Sequence, residues 1–233
     1  MKKVVGVGAV GCGSIGILLC LIGVVATWSL HREATTRLLA LYDNAEKGLL
    51  ITGVSLNRMG PQLEWMQDEY GRHLADIPVE EVATTFHEVG ALLDASLANT
   101  ETAVSVIHLV PLWLFIDLGE AEWETAVADL TEITTTVDTL AELSIASKEA
   151  DTIAVNLVKI DKQYTQLTEQ LKTIVPKISA MRKVVFGVRE QLPQWISRIS
   201  IIATILLLWM AVGQLALLKW GASFLAPIKN GEA

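Results

Sequence analysis

Four histidines (His31, His73, His87, His108) and two cysteines (Cys12, Cys20) are the side chains of this 233-residue chain best suited to metal binding or nucleophilic chemistry. Their spacing does not assemble a site. Glu69 and His73 are four apart and share one helix face, but no second such pair exists to complete a metal centre between helices. They read as a surface pair. No HExxH, G-x-S-x-G or GxxxxGK[ST] sequence occurs. The reading is therefore no enzyme, no metal and no cofactor. Net charge −8 without a basic face argues against nucleic acid. Which small molecule, if any, binds is not legible.

Both cysteines lie in an apolar stretch, so the polar remainder holds no disulfide and no cysteine-based metal site. Two such stretches exist: Val4–Leu30 has no charge in 27 residues and Ile199–Leu218 none in 20. A hydrocarbon core of about 30 Å needs roughly 20 helical residues, so each is long enough to span. The first run exceeds a signal-peptide core and reads as an uncleaved anchor. Gly8, Cys12 and Gly16 fall four apart on it, a flat stripe for packing against the second span or a neighbouring copy. Only Gln214 and a few Ser and Thr are polar in the spans, which disfavours a transporter. Lys2 and Lys3, with Lys219 and Lys229, favour cytoplasmic termini and an extracytoplasmic polar domain. Arg32, Arg37, Lys47, Arg182, Lys183, Arg189 and Arg198 argue the other way, but the rule weakens for long connections.

The strongest pattern runs from Leu143 to Ile202. Apolar residues recur there in steps of three and four, including Leu157, Ile160, Tyr164, Leu167, Leu171 and Ile174, as in a coiled-coil seam. The seam is expected to enter the second span in phase, through Trp195, Ile199 and Ile202. Leu38 to Met59 repeats the spacing and is expected to pair with it antiparallel. Gly60-Pro61 reads as a break. Short helices follow, over 61–74 and from Pro78 to about Ala98, with a turn at Asn99-Thr100. Ala103–Leu118 is nearly all apolar. Its Leu112, Trp113, Leu114 and Phe115 are either buried or an exposed tip that meets a partner or another membrane. From Gly119 a helix of about seventy residues is expected, with a phase slip at Leu140–Leu143.

The fold class is all-α: two transmembrane helices continuous with a long antiparallel helical hairpin or coiled coil, capped by shorter helices. The expected divisions are an anchor over 1–30, a helical domain over 31–197, a second span over 198–220 and a tail over 221–233. Between Arg72 and Lys148 there is no Lys or Arg, so the far end of the domain is acidic. That end is a solvated surface or a place for cations or a basic partner. The basic residues nearer the spans suit lipid headgroups.

A two-span chain with a helical domain running into the second span resembles the input module of bacterial chemoreceptors and sensor kinases. Leu225-Ala226-Pro227-Ile228-Lys229 is similar to the opening of the HAMP domain that follows in that family. The sequence ends at Ala233, without HAMP helices or an output domain, so the resemblance implies signalling through a partner and carries over no functional residue. The expected function is a structural, scaffolding or oligomerising membrane protein, a homo-oligomer or one with a membrane-protein partner, in contact with lipid. A sensory or regulatory subunit relaying binding at the distal cap is the alternative. An accessory subunit of a membrane complex is a third.

Overall fold

The structure, a computed structural model, describes residues 2–73, 77–109, 120–149 and 153–225. Among the described residues four helices occur and no strand: α1 (Lys2–His73), α2 (Val79–His108), α3 (Glu120–Glu149) and α4 (Ile153–Leu225). Leu112, Trp113, Leu114 and Phe115 lie outside the described residues. Two helices, α1 and α4, are long and apolar enough to cross a membrane. The chain divides into two units, one of Met1–Leu39 with Gln191–Ala233 and one of Ala40–Glu190.

The second unit is a four-helix bundle. Its buried positions keep the three-four spacing on every helix: Tyr42, Ala45, Leu49, Thr52, Leu56, Met59, Leu63 and Met66 on α1, and Val82, Phe86, Val89 and Leu93 continuing to Ser96, Thr100 and Ala103 on α2. On α3 they are Trp123, Ala126, Leu130, Ile133, Val137 and Leu140, then Ser144 and Ser147. On α4 they run from Ile160 through Tyr164, Leu167, Leu171 and Ile174 to Val188. One apolar stripe per helix, turned inward, is what closes such a bundle. Cross-helix contacts fix the order. Gln67 donates to Asp161 at 2.6 Å (α1 to α4), Thr52 to the Ser96 carbonyl at 3.4 Å (α1 to α2), and Gln170 to Glu132 at 2.8 Å (α4 to α3). α2 and α3 pack against each other. Phe86 and Tyr164 meet across the core with ring centroids 6.4 Å apart. Burial pushes the Tyr42 hydroxyl up to about 12, so it stays protonated through the neutral range.

Several expectations are corrected here. Among the described residues there is no cap of short helices: α2 and α3 are 30 residues each and run beside the other two. Gly60-Pro61 does not end α1, which carries Pro61 inside it. Proline removes one helical hydrogen bond, but Leu56, Met59, Leu63 and Met66 are buried on both sides of it and hold the helix together. Asn99-Thr100 is no turn either; Thr100 is a core residue of α2. The long seam is divided between α3 and α4, and at its start Ser144 and Ser147 are buried while Ala146 is exposed.

The first unit is an apolar hairpin of the two helix ends. Its inner face carries Gly6, Gly13 and Cys20 on α1 against Ser200 and Gly221 on α4. The contacts are close. A Cβ on Gly13 would sit 3.0 Å from the Gln214 carbonyl oxygen, and one on Gly221 would sit 2.8 Å from the Ala9 Cβ. Small residues admit this approach, and bulky ones turn outward. Of the Gly8, Cys12 and Gly16 stripe, only Gly16 packs against α4, under the Gln214 side chain, while Gly8 and Cys12 are exposed. The seam also changes phase: Ile199 and Ile202 are 50% and 58% exposed, while Ser200 is 5% exposed.

Candidate functional site

Sequence reasoning put the interest of the polar domain in apolar positions. Ile160, Tyr164, Leu167, Leu171 and Ile174 are buried in the bundle core, and Leu157 is half-buried at the edge of a cavity shared with Gln67 and Asp161. They are packing residues. The polar groups brought together lie elsewhere, between α1 and α4 inside the bundle unit.

The first feature is an ionic clasp. Asp43 and Glu46 are three apart on α1; Arg182 and Arg189 are seven apart on α4, so both pairs line the seam between the helices. Arg189 donates to Glu46 and, at 3.4 Å, to Asp43. Arg182 reaches Glu46 at 3.9 Å, and Lys47 closes on Asp43 at 2.6 Å. The Glu46 side chain is only 14% exposed, so its charge depends on these partners. Lys47, hydrogen-bonded to Asp43, holds that carboxyl below the usual carboxylate range, with Arg189 adding to the effect. Arg189 also stacks its guanidinium 5.7 Å over the Phe186 ring. The signal for this clasp was present in sequence, as opposite charges flanking two heptad seams, but the seams had to be aligned before it could be read.

Removing Arg189 should therefore matter more than its partial exposure suggests. Arg189→Met is expected to destabilise the bundle by about 1–3 kcal/mol, because Glu46 is left short of a donor. Arg37→Met, which loses a pair between side chains 77% and 59% exposed, should change stability by less than about 0.5 kcal/mol. Urea unfolding of both variants checks this. Asp43 adds a pH signature. A lowered folded pKa contributes stability that is present above the unfolded pKa and is lost as pH falls through the folded one. The acid limb of the stability profile should flatten in Lys47→Met, which loses the main cause of the shift.

The second feature is a groove beside the clasp. Two adjoining hollows of about 330 and 210 Å³ share Asn57 and Val175. Gly53 and Gly60 of α1 lie along them; a Cβ on Gly60 would meet nothing within 4 Å. Thr168 Oγ1 faces this region with no hydrogen-bond partner among the described residues. Lys172, on the groove wall, is bound to Glu169 at 2.8 Å; that hydrogen bond, with Glu64 adding attraction, raises its pKa. The arrangement is a shallow cleft with an apolar floor and a mixed rim, a shape suited to a docked surface more than to an enclosed substrate.

In the apolar unit, the His31 ring and the Ser200 hydroxyl hydrogen-bond at 3.0 Å, and the Trp28 ring lies 5.4 Å from that of His31. This tie between α1 and α4 was not foreseen, since Ser200 falls outside the expected seam.

Comparison of the chain with protein-family models, with curated proteins and with solved structures returns no match.

Proposed function

We propose that the chain is a two-pass membrane-anchored protein whose helical bundle serves as a structural, self-associating module. One observation carries this reading: the burial pattern inverts between the two units. In the bundle, the inward stripes are mostly leucine, isoleucine and other large apolar residues, and no Asp, Glu, Lys or Arg is among the described residues that are buried. In the apolar hairpin, Gly6, Gly13, Ser200 and Gly221 are inside, while Ile15, Leu18, Leu19, Leu21, Ile22, Val25, Leu206, Trp209 and Val212 face out. An outer surface of that kind is unstable in water and natural in lipid. The bundle, four regular helices closed around one core, is a rigid body for presenting surfaces to other proteins. On this reading the lipid contact is the apolar unit, the termini are cytoplasmic and the bundle is extracytoplasmic.

Membranes containing the chain should yield dimers or higher species on brief amine cross-linking, and gentle detergent extraction should preserve them. Monomer alone under both conditions would falsify the module. Single cysteines at Ala98 and at Lys219, in a background lacking Cys12 and Cys20, should label from opposite faces.

A second reading, a sensory or regulatory subunit acting on a partner, draws on the helices themselves. Both α1 and α4 are assigned as single helices that include residues of both units. Insertion of two alanines after Leu192 should abolish a response that depends on α4 and leave bundle folding unchanged; an unaltered response removes this reading.

A further inference from the structure

Two prolines stand inside the long helices of the bundle unit, Pro61 on α1 and Pro176 on α4. Proline has no N–H, so the carbonyls of Asn57 and Lys172, one turn earlier, lose their helical donors. All four residues line the same hollow of about 330 Å³, and both prolines are exposed. Thr168 Oγ1, on the same wall, is buried without a hydrogen-bond partner among the described residues. Each helix thus lacks one hydrogen bond at one level, on one side, beside unfilled space.

This placement makes the two prolines act together. A proline ring pushes on the carbonyl of the preceding turn, so a helix opens on its proline face and bends away from it. Pro61 and Pro176 face one hollow, so their two bends share a direction and add. α1 and α4 are tied on either side of it, Gln67 to Asp161 at 2.6 Å and Arg182 to Glu46 at 3.9 Å. A bend in one helix is therefore carried to the other.

α2 and α3 have no proline, but each is softened near this level. On α3, Thr131, Thr134, Thr135 and Thr136 donate back to carbonyls four residues earlier, at 2.9 to 3.0 Å. Such back-bonding weakens and bends helices. The Gln170–Glu132 and Lys177–Asp129 contacts set the start of this run beside the hollow. On α2, counting from the Thr52–Ser96 contact places Gly90 opposite Arg58, within a turn of Pro61. A glycine inside a helix loosens it.

We infer that the bundle is jointed at the level of Pro61 and Pro176, so that its two segments bend against each other and the hollow widens on the outer side of the bend. The body proposed above then presents its surfaces as two rigid segments about one joint, whether or not copies of the chain associate. A partner that grips one segment in a preferred bend fixes the bend of the other as well.

The test uses the full chain in vesicles, without Cys12 and Cys20, spin-labelled through Val158→Cys and Lys183→Cys and diluted with unlabelled chain. Positions 158, 176 and 183 share one face of α4, at spacings of 18 and 7 residues, so the labels move apart as the helix bends. Dipolar spectroscopy should show a broad distance distribution in the parent. Pro176→Ala should narrow it about twofold, by restoring one helical hydrogen bond. Pro61→Ala, on the other helix, should narrow it to a similar degree. That second effect separates a joint shared by two helices from a kink confined to α4. A narrow distribution in the parent, a breadth indifferent to both alanines, or narrowing by only one of them would each overturn the joint. Urea unfolding checks that both variants fold, as expected for alanine inside a helix.

Discussion

Gly13→Leu is expected to unseat the apolar hairpin, while Gly8→Leu, five residues away on the same helix, leaves it intact. The contrast follows from what each new side chain meets. At Gly13 a Cβ alone would lie 3.0 Å from the Gln214 carbonyl oxygen, 3.1 Å from the Leu218 Cβ and 3.2 Å from the Leu218 nitrogen. Two of these are backbone atoms, which cannot swing aside, so α1 and α4 must separate. At Gly8 nothing lies within 4 Å. Overpacking of this kind costs about 1–3 kcal/mol, and the separation forfeits contacts on either side as well. Helix propensity changes equally in both variants and cancels in the comparison. The measurement is loss of the folded hairpin on titrating dodecyl sulfate into mild micelles. Thiol labelling gives an independent reading: Cys12 is exposed and Cys20 buried, so faster Cys20 labelling should appear in Gly13→Leu only. Equal behaviour of the two variants would mean that the small residues of α1 do not face α4.

In the bundle, Leu167→Ala should cost about 2–5 kcal/mol and Val158→Ala less than about 0.5 kcal/mol. Leu167 is fully buried on α4, whereas Val158 is 78% exposed on the same helix. The transfer energy of the lost carbons and the cavity left behind both count at Leu167. Removing a polar atom from the core works in the other direction. Ser144 Oγ is buried with no hydrogen-bond partner among the described residues, so Ser144→Ala removes an uncompensated desolvation cost. Its stability should match or exceed the parent. Chemical unfolding of the three variants checks the order; a Leu167 variant as stable as Val158→Ala would refute the packing of α4.

These cases show why some of the architecture was readable and some was not. The helical class and the two apolar runs follow from composition and length. The core of α4 from Ile160 to Ile174 follows from spacing, because each position there is large and apolar. The α2 stripe escaped notice where it turns small and polar, at Ser96, Thr100 and Ala103. Thr100 hides its hydroxyl by donating to the Ser96 carbonyl at 2.8 Å, so a polar residue sits comfortably in a buried helix interior. At Pro61 local propensity predicts a stop, and tertiary packing on both sides overrides it. At Ile199 the error lay in the rule itself. Hydrophobicity predicts the inner face when the outside is water; in the apolar unit close approach decides, and Ser200 displaces the isoleucine. The ionic clasp and the groove needed the register of α1 against α4, which no single helix contains.

That register has a consequence for how the chain is made. The α4 partners of α1 come from the far end of the sequence: His31 bonds Ser200, 169 positions later, and Arg189 closes on Glu46 across 143. At roughly 5–20 residues per second, a ribosome finishes Ser200 about 8–35 s after His31. Through that interval the glycine face of α1 and the acids Asp43 and Glu46 have emerged without the surfaces that will cover them. The first helix is thus a recruit waiting for the last. During synthesis the inner face it offers α4 is open to an insertion factor, a chaperone or a neighbouring nascent chain.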